Sequence, residues 1–212
     1  MFVSNRLKSK FKIYDQVSLR KGMTGKDVAE DMLRHYGISD VQVVQGKGML
    51  TDHYNPMTKT VKLSPAIYSK QTVMAAAVAA HEVGHAVQHA TSYPWLTFRS
   101  AIVPVVNMAA VAQGWLLMFA VGAYGGGNNS FLLLITIIAF MVTTAFAFIT
   151  LPVEFDASKR GLAWLAETGA ATNEEFDGAK DALWWAAMTY VAKALSSLAL
   201  LIYLLLKYQG RR

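Results

Sequence analysis

AIVPVVNMAAVAQGWLLMFAVGA, residues 101–123, and FLLLITIIAFMVTTAFAFITL, residues 131–151, decide what kind of fold this chain can have. From Ser100 to Val153 no side chain is charged, and only the turn-like YGGGNNS at 124–130 interrupts the apolar run. A bilayer span needs about 20 consecutive apolar residues, and each half supplies that many. A hairpin buried in a soluble core is the competing reading, but two uncharged helices joined by glycines fit a membrane better. A third segment, LWWAAMTYVAKALSSLALLIYLLL at 183–206, is interrupted by Lys193. A lysine in mid-span costs about 3 kcal/mol on insertion. The segment spans if Lys193 faces protein or water or snorkels; otherwise it lies at the interface or packs on the hairpin. The expectation is a mainly α membrane protein with two to three transmembrane helices.

The rest of the composition agrees. The chain has 212 residues, 54% of them hydrophobic, and no cysteine; its mean hydropathy is +0.30. Without cysteine there are no disulfides and no thiolate metal sites, so any zinc must be held by histidine and carboxylate. The net charge of +6 is unevenly spread. Arg6, Lys8, Lys10, Lys12, Arg20, Lys21 and Lys26 crowd one end, Lys159 and Arg160 follow the second span, and 124–130 has no charge. The positive-inside rule then puts that loop outside and both flanks in the cytoplasm. Lys207, Arg211 and Arg212 fit this orientation badly if the third segment also spans. Basic residues with little aromatic interleaving point to a membrane-adjacent face, not to nucleic acid. The start, MFVSNRLKSKFK, lacks an apolar run after its basic residues and does not read as a signal peptide.

Outside the spans the pattern predicts a small α+β part. In TGKDVAEDMLRHYGI, 24–38, Thr24 and Asp27 make a capping-box-like start, Val28, Met32 and Tyr36 fall on one face, and Gly37 is a stop. VQVV at 41–44 reads as a strand, and GMLTDHYNPMTKTVKLS at 48–64 as a hairpin turning at Asn55-Pro56. QTVMAAAVAAHEVGHAVQHA, 71–90, is a long alanine-rich helix. The chain thus divides into 1–99 carrying that helix, a membrane hairpin at 100–153, a segment at 154–182, and a third membrane helix with a basic tail at 183–212.

The alanine-rich helix carries HEVGH. His81 and His85 lie on one face, about 5–6 Å apart at Cβ, close enough for both imidazoles to reach one zinc at bonds of about 2.0–2.1 Å. Glu82 sits on the adjacent flank, where it can take a proton from a water activated by the metal. Gly84 keeps the helix slim for a close neighbour. His89 lies one turn too far along the same face to close on the same ion, and reads as a core or supporting residue. His35 reads as a surface residue.

A third ligand has to come from elsewhere. A hairpin leaving after Arg99 and returning near Leu151 brings PVEFDASKR back beside the histidine helix. Glu154 is the first charge after the uncharged run, and a carboxylate at the mouth of a span needs a partner. An interfacial pair with Lys159 or Arg160 is the alternative to metal ligation. His53, Tyr54 and Arg99 are candidate donors to an oxyanion in a transition state, and the hairpin is a candidate for binding extended peptide by strand addition.

HEVGHAVQH, LTDHYNPMTKTVKLS and LPVEFDASKR together make the chain resemble the YugP-like family of bacterial membrane neutral zinc metallopeptidases, over nearly its whole length. The resemblance implies a gluzincin-type, zincin-like fold and a membrane-bound zinc endopeptidase. It further implies one Zn2+ per chain, His81, His85 and Glu154 as ligands, and Glu82 as catalytic base. Related membrane gluzincins carry Asp four residues after the third ligand to orient a zinc histidine; here that position is Ser158, as in the YugP-like group, and Ser158 or Asp156 is a candidate for the orienting role. Members of the group usually have a hydrophobic span ahead of the basic run, whereas this chain begins almost at that run. The expected partners are a peptide or protein substrate and the lipid bilayer, with no nucleic acid. The expected location is the bacterial cell membrane with the active site on the cytoplasmic side. The alternative function is a catalytically inactive, zinc-stabilised membrane scaffold; an intact Glu82 speaks against it, because a structural site needs no base.

Overall fold

The computed structural model describes residues 2–48, 51–121 and 130–210; most of the 124–130 turn, and the start of the hairpin at 49–50, lie outside them. In chain order the elements are α1 (Phe2–Tyr14), α2 (Gly25–His35), β1 (Gln42–Gln45), β2 (His53–Asn55), β3 (Thr60–Leu63), α3 (Pro65–Ser69), α4 (Val73–Ala90), α5 (Pro94–Val121), α6 (Ser130–Glu167) and α7 (Asn173–Gln209). The fold is mostly helical with one small sheet. It divides into two compact units, the first running to Leu96 and from Val153 to Thr189, the second holding Thr97–Pro152 and the chain from Tyr190.

In the first unit, α4 is the central element. Its face-independent run of alanine and valine suits a helix enclosed on all sides, and Ala75, Ala77, Ala79, Ala80 and Val83 are fully buried. Against it pack Val28, Ala29 and Met32 of α2, Val61 and Leu63 of β3, Ile67 of α3, and Trp164 and Leu165 of α6. The sheet has the order β1-β3-β2, with β1 parallel and β2 antiparallel to β3. That leaves β2 as an edge strand. The hairpin turns at Asn55, whose side-chain oxygen accepts the N–H groups of Met57 and Thr58.

Two local readings are corrected. Tyr36 does not share the buried face of Val28 and Met32; it is the C-cap of α2 and 37% exposed, because the helix ends before its side chain could turn inward. His89 is not a core residue: it lies on the exposed side of the last turn of α4, whose Val87 and Gln88 are buried.

The second unit is built differently. Leu133, Ile137 and Phe140 of α6 close on Leu201 and Leu204 of α7, and Thr144 and Ser197 share a 2.6 Å hydrogen bond. The outward positions are apolar too: Met108, Trp115, Phe131 and Leu206 are all more than 60% exposed. Such a surface is costly in water and matches a hydrocarbon solvent. Among the described residues, three helices are long and apolar enough to cross a membrane: Pro94–Leu116, Ser130–Glu167 and Asn173–Gln209. The third contains the 183–206 segment, with Lys193 exposed on its surface.

The N-terminus of α2 gives a local test. Thr24 accepts the N–H of Asp27 through its hydroxyl, and the Asp27 carboxylate accepts the Thr24 N–H at 2.9 Å. Those bonds to Thr24 hold the Asp27 carboxyl below its ordinary pKa. Thr24→Ala is expected to lower unfolding stability by about 1 kcal/mol in denaturant titrations. Because Asp27 is depressed, its own contribution is present above the unfolded-state pKa and fades as pH falls through the folded value. Asp27→Asn should therefore flatten stability against pH on the acid side and leave the alkaline side unchanged.

Candidate metal centre

Two close crossings bring α4 and α6 together. A Cβ at Gly84 would lie 2.3 Å from the Ala157 carbonyl oxygen, and one at Gly161 would lie 2.9 Å from the Ala80 carbonyl. Only glycine fits at either place, so the two backbones touch. Ala157 is three residues beyond Glu154, which puts the Glu154 carboxylate one turn away from the crossing, against the HEVGH turn of α4.

The ligand atoms of His81, His85 and Glu154 all lie within 4.8 Å of one another. The two imidazoles meet edge to face, with centroids 4.8 Å apart and planes at 81°. His81 Nε2 is 3.4 Å and His85 Nε2 3.7 Å from Glu154 Oε2. That oxygen is buried and has no hydrogen-bond partner. A buried carboxylate oxygen left unpaired is costly, and three inward-facing donor atoms of this kind suit a cation between them. Two imidazole nitrogens and one carboxylate oxygen are also a donor set that zinc accepts. The residues present therefore fit a zinc ion. Burial opposes the imidazolium of His85, but Glu154 and Glu82 more than offset it, and its pKa is raised.

Each histidine is held from behind. His81 Nδ1 is 3.0 Å from Ser158 Oγ, and His85 Nδ1 is 3.0 Å from Gln88 Oε1. Gln88 in turn donates to Val153 O and Asp156 Oδ2, both at 2.8 Å, and Asp156 accepts Arg160 Nε at 2.6 Å. Of the two orienting candidates, Ser158 touches a histidine directly, whereas Asp156 does so only through Gln88. Gln88 was missed. Its signal was present, a single amide three residues after His85 on the same helical face within an otherwise apolar turn. Arg160 pairs with Asp156 and not with Glu154.

Glu82 is 8% exposed, and its Oε2 accepts the backbone N–H of Tyr54 at 3.1 Å, which ties edge strand β2 to α4. The Tyr54 hydroxyl shares a 2.8 Å hydrogen bond with His89 Nδ1. Burial, helped by the charge of Asp40, raises the Tyr54 phenol, which stays protonated at neutral pH. His53 is exposed, with its Nδ1 2.7 Å from Thr51 O. Arg99 belongs to the second unit, where its guanidinium lies 6.0 Å from the Phe146 ring centre.

The family description "Putative neutral zinc metallopeptidase" matches residues 1–209, and the chain belongs to that family. Over 207 residues the chain is 41% identical to the protein called "Putative membrane protease YugP" of Bacillus subtilis strain 168, an alignment covering 97% of this chain and 90% of that one. No solved structure matches the chain.

The α4–α6 contact yields a direct prediction. Gly84→Ala must push Ala157 away, and overpacking of this kind costs about 1–3 kcal/mol. Gly114, whose Cβ would meet nothing within 4 Å, is the control: alanine there should be neutral or stabilising. Thermal unfolding of the two variants in detergent makes the comparison.

Proposed function

We propose that the protein is a membrane-bound zinc endopeptidase in which His81, His85 and Glu154 hold one zinc ion and Glu82 is the general base. One observation carries this reading: two imidazole nitrogens converge on a buried Glu154 oxygen that has no hydrogen-bond partner. The family description and the name of the Bacillus subtilis relative support it. An HEVGH helix lying beside a small sheet with an edge strand facing it supports a zincin-like soluble part.

A zinc ion held there would supply Lewis acidity, polarising a peptide carbonyl and acidifying a water. The remaining steps fall to the chain. Glu82 follows His81 on α4, and its carboxylate, oriented by the Tyr54 N–H, accepts a proton from the attacking water and passes it to the leaving amine. Edge strand β2 holds the substrate backbone by strand addition, so that recognition depends little on side chains. Of the oxyanion candidates, Tyr54 is the one fixed to α4 through both its N–H and its hydroxyl, and it is assigned that role ahead of His53 and Arg99.

The three apolar helices support action on peptide bonds near a membrane surface. The basic residues flanking the uncharged run support a location in the bacterial cell membrane with the site on the cytoplasmic side.

Metal analysis of detergent-purified protein tests the ligand set. Wild type should carry about one zinc per chain and Glu154→Ala far less; full zinc in both would remove Glu154 from the set. Glu82→Gln should keep its zinc and lose roughly 10²–10⁴-fold in cleavage of a fluorescently labelled unstructured protein. Equal behaviour of Glu82→Gln and wild type would favour the scaffold reading.

A further inference from the structure

Gln88 is 0% exposed, and a buried primary amide has to place two N–H donors and an oxygen. Its surroundings leave one solution. The Val153 carbonyl can only accept, and Asp156, facing the guanidinium of Arg160 at 2.6 Å, is a carboxylate that can only accept. The amide nitrogen must therefore point to α6, which leaves Oε1 for His85 at 3.0 Å. An amide oxygen accepts and does not donate. Neutral His85 must then carry its proton on Nδ1, and its lone pair is left on Nε2, the atom that faces Glu154.

We propose that Gln88 is a positioning residue that fixes His85 in the tautomer whose free Nε2 faces the metal centre, with the Asp156–Arg160 pair holding the Gln88 amide the right way round. This rests on the reading of His85 as a metal ligand. The two histidines are supported unequally. Ser158 Oγ can donate to or accept from His81 Nδ1, so a hydroxyl leaves that tautomer open, whereas the amide decides the other one. An amide is also the group required here, because a carboxylate at position 88 would face the Val153 carbonyl and Asp156 with no proton to offer. The same contact latches α4 to the residue preceding Glu154, so Gln88 sets the orientation of His85 and the backbone position of the third candidate ligand together.

The test uses the full chain in detergent, with two readouts. Histidine-selective 15N NMR on metal-free protein, titrated to a pH at which His85 is neutral, reports the tautomer, and the chain has only five histidines to assign. In wild type, His85 should show Nδ1–H; in Gln88→Met it should shift towards Nε2–H. Chelator competition with added zinc should show Gln88→Met binding roughly 10–100-fold more weakly. Asp156→Ala, which removes one acceptor and leaves the amide in place, should move both readouts the same way by a smaller amount, and decides the matter if Gln88→Met does not fold. A purely structural Gln88 would lower thermal stability while leaving tautomer and zinc affinity at wild-type values. That result, or the Nε2–H tautomer in neutral wild-type His85, overturns the proposal. Wild type that binds no zinc would sink the metallopeptidase reading, while the tautomer in the metal-free protein would still decide the Gln88–His85 contact.

Discussion

The backbone contact between α4 and α6 is the constraint on which the candidate site depends. Helices normally pack through side chains at 8–10 Å between axes. Here Gly84 sits against the Ala157 carbonyl and Gly161 against that of Ala80, with no room for a methyl group at either place. The closeness is what lets a short carboxylate on α6 reach two histidines on α4. It also brings the polar groups of α6 within range of a glutamine on α4. A looser crossing would leave Glu154 in an apolar environment with nothing to meet.

Around that crossing, the first unit concentrates polar groups where burial would ordinarily exclude them. Glu82, His85, Gln88, Glu154 and Ser158 are all buried. Most are satisfied by one another or by backbone, and Glu154 Oε2 stands as the exception. In a network this enclosed, one unsatisfied oxygen facing two imidazoles is informative, because the cost of leaving it so is high. Edge strand β2 contributes through its backbone: the Tyr54 N–H donates to Glu82.

The second unit follows another solvent. Its side chains close on one another along α6 and α7, while the large apolar residues outside that seam remain exposed. Outside the Thr144–Ser197 contact, hydroxyls turn back onto their own helix, as Thr136 does to the Leu132 carbonyl and Thr150 to that of Phe146. This is how hydroxyls are accommodated where water is scarce.

Much of this was legible in the sequence. The uncharged run from Ser100 to Val153 required helices suited to a bilayer, because length and apolarity are properties of the chain itself. Thr24 and Asp27 announced the start of α2, and the four-residue spacing of His81 and His85 put them on one face, since capping and helical periodicity are local. The limits were tertiary. Tyr36 followed the helical period but lay past the point where α2 ends, and His89 lies on the exposed side of the last turn of α4, whose Val87 and Gln88 are buried. Gln88 takes its meaning from Val153 and Asp156, 65 and 68 positions away in the chain, which no local pattern shows. The sequence alone thus determined the apolar helices, the HEVGH turn and the chemical types available to a metal. Glu154 was already singled out as the carboxylate; only the tertiary structure decided that it faces the two histidines while Arg160 pairs with Asp156, and what stands behind each ring. A hydrogen bond across two helices depends on where their backbones cross, and no local pattern states that.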